Sequence, residues 1–168
     1  LGPPYGPDRV LATGGTIQEH YEAWSSYWYK YFRERAREGI GCEIASPGYA
    51  KYTLGVYYNI RDFAESNALR ERTDRFLSLY WADVATSFLR TGVRGGAQNR
   101  CYKNNYLYLG TQHSYFPPLW AYAWHSNFNG AATSLHPAGL APVISSYRIP
   151  DIITACATNA SRAPYLYT

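Results

Sequence analysis

The chain has 168 residues, of which 46% are hydrophobic and 17% are charged. This composition excludes an intrinsically disordered chain, because enough apolar residues are present to build a core. Sixteen basic and twelve acidic residues give a net charge of +4, and no basic run typical of a nucleic-acid-binding tail is present. The apolar runs are shorter than the ~18 to 20 residues of a membrane helix. We therefore expect neither a nucleic acid nor a membrane as a partner.

The N-terminal segment, residues 1–15, contains three prolines and four glycines, a composition that predicts an extended lead-in or linker. No apolar signal-peptide segment follows a basic stretch there. The sequence contains no methionine at all. We therefore expect the chain to be a segment of a longer protein, with residues 16–168 forming one helical domain.

The first predicted helix begins at Thr16, with Glu19 three residues later as the second half of a capping box. Gly39 and Gly41 predict its end, since glycine readily adopts the backbone conformation that terminates helices. Aromatic residues recur at steps of three and four, which is typical of one face of an amphipathic helix: Trp24, Tyr27, Trp28, Tyr31 and Phe32.

Two further helices are predicted before residue 89, so that residues 16–89 form packed amphipathic helices. Ser46 and Pro47 are suited to the N-cap and first helical position of the second helix. Its apolar positions include Tyr49, Tyr52, Val56, Ile60 and Phe63. After a break at residues 65–67, a third stripe includes Leu69, Thr73, Phe76, Leu77, Tyr80, Trp81, Val84, Ala85 and Phe88. The short connection predicts an antiparallel αα-hairpin and an all-α fold class.

The C-terminal half is less regular. Residues 93–116 form a predicted loop region, rich in glycine, arginine and polar residues at its start. A fourth helix is predicted from Leu119 to about Phe128, after two prolines. Residues 129–148 are expected to be irregular, and residues 149–157 form either a short helix or a short strand.

Two features of the composition bear on function. Aromatic residues make up 17% of the chain, with 18 tyrosines and five tryptophans. These side chains combine a flat apolar face with a polar edge, which suits stacking on sugar rings and also ordinary interfaces. Only three of the sixteen basic residues are lysines, and arginine is suited to bidentate contacts with carboxylate, sulfate or phosphate. Ordinary surface ion pairs are the alternative use of these arginines.

One candidate site lies at the start of the second helix and contains Glu43, Ser46, Tyr49 and Tyr52. The backbone N–H groups of a helix start favour anionic groups. Glu43 could act as an acid or base, or bind a hydroxyl group. The alternative is that Glu43 pairs with an arginine and the tyrosines belong to the core.

A second candidate site is the RGGAQNRCY loop, with Arg94, Gln98, Asn99, Arg100 and Tyr102. Such side chains on a glycine-containing loop can bind anions or sugar hydroxyls. A solvated surface loop is the alternative.

A third candidate is His113, within GTQHSYF, since a histidine and a tyrosine can together transfer protons at a carbon next to a carboxyl group. A structural role for this histidine is the alternative. The three cysteines form no CxxC motif, and no phosphate-binding loop, GxSxG, HExxH or dinucleotide fingerprint is present. We therefore expect neither a bound metal nor a cofactor.

Four patterns between Glu43 and Tyr102 carry a family resemblance: E-x-x-SP-x-Y-x-x-YTL, YYNIRDFAE, LRER followed by LYWAD, and VRGGAQNRCY. They resemble the helical toroid domains of bacterial carbohydrate-active proteins. That group includes polysaccharide lyases of the heparinase and alginate-lyase type and (α/α) toroid glycosidases. The resemblance covers roughly the middle third of the chain, and the tail YRIPDIITACATNASRAPY is similar more loosely.

The resemblance implies a partial (α/α) toroid, completed by the remaining part of the parent chain. It also implies a cleft for an acidic polysaccharide or oligosaccharide, with Glu43, Ser46 and Tyr49 beside the loop of residues 94–102. An extracellular or periplasmic location would suit such a substrate.

Carried over by residue type, the resemblance implies that Gln98 or Arg100 neutralises a uronate carboxyl group. His113 with Tyr102 or Tyr49 would then transfer protons in a lyase reaction. A toroid glycoside hydrolase is an alternative. It needs two carboxylates, for which Glu43 is one candidate and Asp62 or Asp83 are weaker ones because each lies within a helix. A non-catalytic carbohydrate-binding or scaffolding module is the third possibility.

Overall fold

The computed structural model describes residues 6–40, 50–87 and 140–159. These residues form five helices: α1 (Ile17–Glu38), α2 (Ala50–Phe63), α3 (Asn67–Ser87), α4 (Leu140–Ile144) and α5 (Asp151–Thr158). The same three ranges contain no β-strand, only an isolated bridge between Val10 and Thr16. The all-α class is confirmed for this part of the chain.

Helix α1 begins with the predicted capping box. The Thr16 hydroxyl accepts a hydrogen bond of 3.1 Å from the Glu19 backbone N–H, and the Glu19 carboxylate accepts one of 2.7 Å from the Thr16 N–H. These hydrogen bonds lower the pKa of Glu19. At the other end, Gly39 has φ of 102°, a conformation that glycine adopts without a steric penalty, so it ends the helix as predicted.

The described part of the lead-in, residues 6–15, turns back on the start of α1 rather than running straight into it. The Leu11 N–H donates to the Gly15 carbonyl at 2.9 Å, and Gly14 and Gly15 have positive φ. His20 of α1 forms a hydrogen bond of 2.7 Å between Nε2 and the Gly14 carbonyl. The glycines therefore form a tight turn, whereas the composition predicted an extended lead-in or linker.

Helix α3 occupies the centre of the described packing, because it contacts α1, α2 and α5. Its buried side chains confirm the predicted third stripe, apart from Phe88, which lies outside the described residues: Leu69, Thr73, Phe76, Leu77, Tyr80, Trp81, Val84 and Ala85. The contacts with α2 run in opposite order along the two helices, since Tyr58 meets Trp81 and Arg61 meets Asp74. These two helices are therefore antiparallel.

Hydroxyl groups of tyrosines lie within this core and form specific hydrogen bonds. The Trp81 indole N–H donates to the Tyr58 hydroxyl at 2.8 Å, and Ser78 and Tyr147 share a hydrogen bond of 3.0 Å. Buried polar groups need such partners, because an unsatisfied one costs about 1 to 3 kcal/mol. The Tyr58–Trp81 pair consequently fixes how α2 and α3 are aligned along their axes.

A charged network joins the end of α2 to α3 and to the segment after α4. The Arg61 side chain donates to Asp74 at 2.8 Å and to Asp62 at 3.2 Å, and it also contacts the Ser146 hydroxyl. Burial alone would raise the pKa of Asp62, but hydrogen bonds from Ser145, Ser146 and Arg61 outweigh it and lower this pKa. Arg61 and Asp62 are both partly buried and therefore have the charged partners that burial requires.

The C-terminal helices refine the expectations for residues 129–157. One helical turn, α4, lies within the stretch expected to be irregular, and Pro142 fits there because the first residues of a helix have no intrahelical acceptor for an N–H. Residues 151–158 are helical rather than extended. Since proline disfavours helical geometry in the preceding residue, Ile149 stays outside α5.

Several sequence-based expectations lie outside the described residues. They are the N-cap at Ser46, the loop region 93–116 and the fourth helix from Leu119 to about Phe128. Within the described ranges, no helix combines the length and hydrophobicity needed to cross a membrane.

Replacing Leu77 by alanine tests the central position of α3. Leu77 is 0% exposed, so its truncation leaves a cavity and should lower the free energy of unfolding by about 3 kcal/mol. Leu79, on the same helix, is 39% exposed, and Leu79→Ala should cost less than about 1 kcal/mol. Urea unfolding followed by circular dichroism measures both. Equal losses for the two variants would contradict this packing.

The variant Asp62→Asn tests the charged network through its pH dependence. A carboxylate with a lowered folded-state pKa stabilises the fold above its unfolded pKa of about 3.9, and this contribution disappears as pH falls through the folded-state pKa. Wild type should therefore be more stable than Asp62→Asn by about 1 kcal/mol near pH 7, after allowance for solvent screening. The difference should shrink below about pH 4.

The control is Asp8→Asn, which makes the same charge change at an exposed position. Its difference from wild type in free energy of unfolding should stay small between neutral and acidic pH. An Asp62→Asn difference that did not change with pH would show that the ionised carboxylate does not stabilise the fold.

Candidate functional site

Most residues of the sequence-predicted sites lie outside the described residues. This holds for Glu43, Ser46 and Tyr49 at the predicted helix start, for Arg94, Gln98, Asn99, Arg100 and Tyr102 of the RGGAQNRCY loop, and for His113. Tyr52 is described and lies on α2 with its side chain exposed, rather than in the core. The grouping of these residues into one site therefore remains a prediction.

The aromatic stripe of α1 is only partly used for packing, and this marks a different candidate site. Phe32 is fully buried, whereas Trp24 is 59% exposed and Tyr27 is 50% exposed. Adjacent rings along the stripe are nevertheless ordered by edge contacts, with centroids 5.6 Å apart for Trp24–Tyr27 and 5.5 Å apart for Tyr27–Trp28. The N-terminal half of α1 thus presents large flat rings to its surroundings.

A groove of about 390 Å³ opens between this half of α1 and α2. We call it the aromatic groove; its lining residues are Tyr21, Trp24, Ser25, Trp28, Val56, Asn59, Ile60, Phe63, Ala64 and Leu69. Phe63 at its edge is 79% exposed. Such a volume falls within the range of about 300 to 1,000 Å³ of small-molecule sites.

The groove exists because the backbones of α1 and α2 stay apart. Each of these helices packs on α3, but they make no close backbone contact with each other. Side chains bridge the gap instead, with a 3.2 Å hydrogen bond between the hydroxyls of Tyr31 and Tyr57 and a 5.3 Å centroid distance between Phe32 and Tyr57. At the other end, the Tyr21 hydroxyl accepts a hydrogen bond of 2.9 Å from the Glu65 N–H.

The groove combines apolar surface with a few polar groups. Asn59 and Ser25 supply an amide and a hydroxyl among the aromatic and aliphatic side chains. Such a mixture is typical of sites that bind a ligand with one flat apolar face and several hydroxyl groups. The described residues that line it include no carboxylate, imidazole or lysine, and they are of the kinds that bind a ligand.

The titratable groups that the structure does describe near this region are poor catalysts. Asp62 was a weaker candidate for a hydrolase, and its lowered pKa keeps it ionised and bound to Arg61, which does not suit a general acid. Burial, followed by the hydrogen bond with Tyr31, raises the pKa of Tyr57, so this phenol stays protonated at neutral pH. Both residues have structural roles.

Helical periodicity put Trp24 and Phe63 on apolar helix faces, and no sequence pattern assigned Asn59 to a site. Helical periodicity gives the face of a residue but not the distance between two helices that share a third. The sequence did contain one signal of the groove. The N-terminal half of α1 has more aromatic residues than contact with one helix can cover.

Replacing the two tryptophans of the groove should distinguish an exposed side chain from one that packs on the core. Trp24→Ala should change the free energy of unfolding by less than about 1 kcal/mol, because most of the ring is already exposed. Trp28 packs against the core cluster, and Trp28→Ala should cost roughly 2 kcal/mol. Chemical unfolding of both variants measures this. A larger loss for Trp24→Ala than for Trp28→Ala would show that the groove is filled by the fold itself.

Comparisons with known proteins give no match from which a function could be assigned. No protein-family model matches the chain. Searches of curated proteins and of solved structures also find no match. Among the described residues, no group of three or more histidine, cysteine, aspartate or glutamate side chains is placed to hold a metal ion. The aromatic groove is therefore the feature of the described structure on which a proposed function rests.

Proposed function

We propose that this chain is part of a carbohydrate-active helical protein and binds an acidic polysaccharide through the aromatic groove. The observation that carries the proposal is the exposed Trp24 ring in a groove that also contains Asn59 and Ser25. An exposed indole next to hydrogen-bonding groups suits a sugar ring, whose axial C–H face is apolar and whose rim carries hydroxyls.

The energetics favour a ligand for this surface. Burial of apolar surface contributes about 25 cal/mol of favourable free energy per Å², and an exposed aromatic ring does not gain this contribution. Trp24 and Phe63 are both more than half exposed while the adjacent core is well packed. A ligand that covers these rings recovers part of that free energy without any change in the fold.

The acidic character of the polysaccharide is proposed from charge. The chain carries a net charge of +4, mostly through arginine, and arginine binds carboxylate and sulfate groups in a fork-like geometry. The family resemblance of the run from Glu43 to Tyr102 supports the same class of ligand. An extracellular or periplasmic location is part of this proposal.

For the fold, we propose that α2 and α3 are one αα-hairpin of an (α/α) toroid. The two helices are antiparallel and are joined by only three residues, 64–66. Helix α1 would belong to the preceding hairpin, and the remaining part of the parent chain would complete the ring.

For the chemistry, we propose a polysaccharide lyase-like reaction in the parent protein. Gln98 or Arg100 would neutralise the uronate carboxyl group, and His113 with Tyr102 or Tyr49 would transfer protons. A non-catalytic binding module is the second candidate, and the absence of carboxylate and imidazole groups from the lining of the aromatic groove favours it.

Two measurements on the same variants test these proposals. Titration with oligosaccharides from alginate, heparin, pectate and chondroitin should show binding that Trp24→Ala weakens about tenfold, since stacking on an aromatic ring contributes about 1 to 3 kcal/mol per base in the analogous case of nucleotides. The control is Ile152→Ala, which removes an exposed apolar side chain of α5 that lines neither of the two pockets. Equal affinities for wild type and Trp24→Ala would sink the groove proposal.

The second measurement separates an enzyme from a binding module. With the parent protein, lyase cleavage should raise the ultraviolet absorbance of an unsaturated uronate, and His113→Ala or Tyr102→Phe should abolish the rise while binding is retained. Retained binding without any absorbance change in wild type would exclude the lyase reaction for these substrates and favour the binding module.

A further inference from the structure

A second pocket, of about 240 Å³, lies between the C-terminal half of α1 and α3. Four of its lining residues are arginines, Arg33 and Arg37 from α1 and Arg72 and Arg75 from α3, and its apolar floor includes Phe32 and Phe76. We call it the arginine pocket. Helix geometry explains the grouping, because residues three or four apart lie on the same face of a helix.

Within the part of the chain that the structure describes, acidic side chains balance the charges of the arginine pocket only in part. Glu34 is the one acidic side chain paired with Arg33, at 2.7 Å, and with Arg37, at 3.7 Å, and it does not line the pocket. Arg75 is exposed and forms neither an ion pair nor a hydrogen bond with another described residue. The pocket therefore has a net positive charge.

One of the four guanidinium groups is held in place by an aromatic ring. Arg72 donates to the Tyr29 hydroxyl at 2.8 Å, and its Cζ lies 4.4 Å from the centroid of the Tyr29 ring. Both contacts reduce the conformational entropy that Arg72 would lose on binding a ligand. An oriented arginine beside an unpaired one, over an apolar floor, is an arrangement that binds oxyanions.

We propose that the arginine pocket binds an oxyanion carried by a sugar, either a sulfate ester or a uronate carboxylate. This inference rests on the proposed function and adds a second contact for the polymer. The aromatic groove faces α2 and uses residues 21–28 of α1, whereas the pocket faces α3 and uses residues 32–37. A long acidic chain can reach both sites, while a short neutral oligosaccharide needs only the groove.

A polysaccharide is favoured over a nucleic acid as the source of the oxyanion. Nucleic-acid surfaces need basic residues in a continuous track along the backbone. Here the basic residues outside the pocket are scattered, and acidic residues such as Glu71 and Asp74 lie on the same helix as Arg72 and Arg75. The four arginines of the pocket form a cluster of limited extent rather than a continuous track.

The test compares Arg75→Gln with Arg70→Gln in calorimetric titrations with a heparin-derived and an alginate-derived oligosaccharide. Each variant removes one positive charge from α3, but Arg70 bonds to Asn67 and does not line the pocket. Arg75→Gln should weaken binding about fivefold at low ionic strength, and Arg70→Gln should leave it within about twofold. The difference in affinity between wild type and Arg75→Gln should nearly vanish at about 0.5 M salt, because salt screens the charges.

The source of the oxyanion is read from the two arms of the titration. Alginate carries only carboxylates, whereas heparin carries both sulfates and carboxylates. A larger Arg75 effect with heparin therefore assigns the pocket to sulfate, and an effect with alginate that is equal or larger assigns it to carboxylate; both support the proposal. Equal weakening by Arg75→Gln and Arg70→Gln would overturn it, since the attraction would then be due to net charge alone. Arg75-dependent binding of a single-stranded oligonucleotide as tight as that of the oligosaccharides would also overturn it.

The failure of this inference can be told apart from that of the proposed function. A neutral oligosaccharide that binds in a Trp24-dependent manner, together with acidic ligands that do not respond to Arg75→Gln, would remove the arginine pocket and keep the groove. The reverse pattern, with Arg75 dependence but no Trp24 dependence, would keep the pocket and remove the groove. Unfolding curves of the Arg75→Gln variant should match those of wild type, because the side chain is exposed.

Discussion

The burial of α3 on several sides is the constraint on which the described structure depends. Phe76 contacts Phe32 of α1, Trp81 contacts Tyr58 of α2, and α5 also packs on α3, so three helices are positioned by the same one. Because such a helix cannot be left partly solvated without a large loss of hydrophobic free energy, its neighbours have little freedom to separate from it. The aromatic groove lies between two helices that both pack on α3, and the arginine pocket lies between α1 and α3.

Tyrosine gives this core a specificity that an aliphatic core would lack. A phenol packs like a hydrocarbon but also requires a partner for its hydroxyl, so each buried tyrosine admits few alignments of the helices around it. The Trp81–Tyr58 and Ser78–Tyr147 bonds link α3 to α2 and to the segment before α5. The high aromatic content of the chain therefore serves two purposes, since rings in the core fix the register and rings on α1 remain available to a ligand.

Local signals in the sequence predicted the local structure well. The capping box at Thr16, the end at Gly39 and the buried stripe of α3 all depend on residues close together in the chain, and the structure confirms them. The two pockets could not be predicted, because each depends on the distance and rotation between helices far apart in sequence. Spacing placed Arg33 with Arg37 and Arg72 with Arg75, but only the packing of α1 on α3 brings the two pairs together. The toroid remains a prediction because the described helices do not test whether a ring closes. The site of the RGGAQNRCY loop and His113 remains one because its residues lie outside the described ranges.

The separation of the α1 and α2 backbones has a consequence for how this surface can change in evolution. Among the described helices, α3 is the one that packs on both α1 and α2. The width of the gap between α1 and α2 therefore depends on the side chains that meet across it, among them Tyr31 and Tyr57. A substitution at such a position alters the shape offered to a ligand while the helices keep their places on α3. Under the proposed function, single replacements there would change the bulk of the sugar that fits the groove, without the loss of stability that a change of backbone geometry would bring.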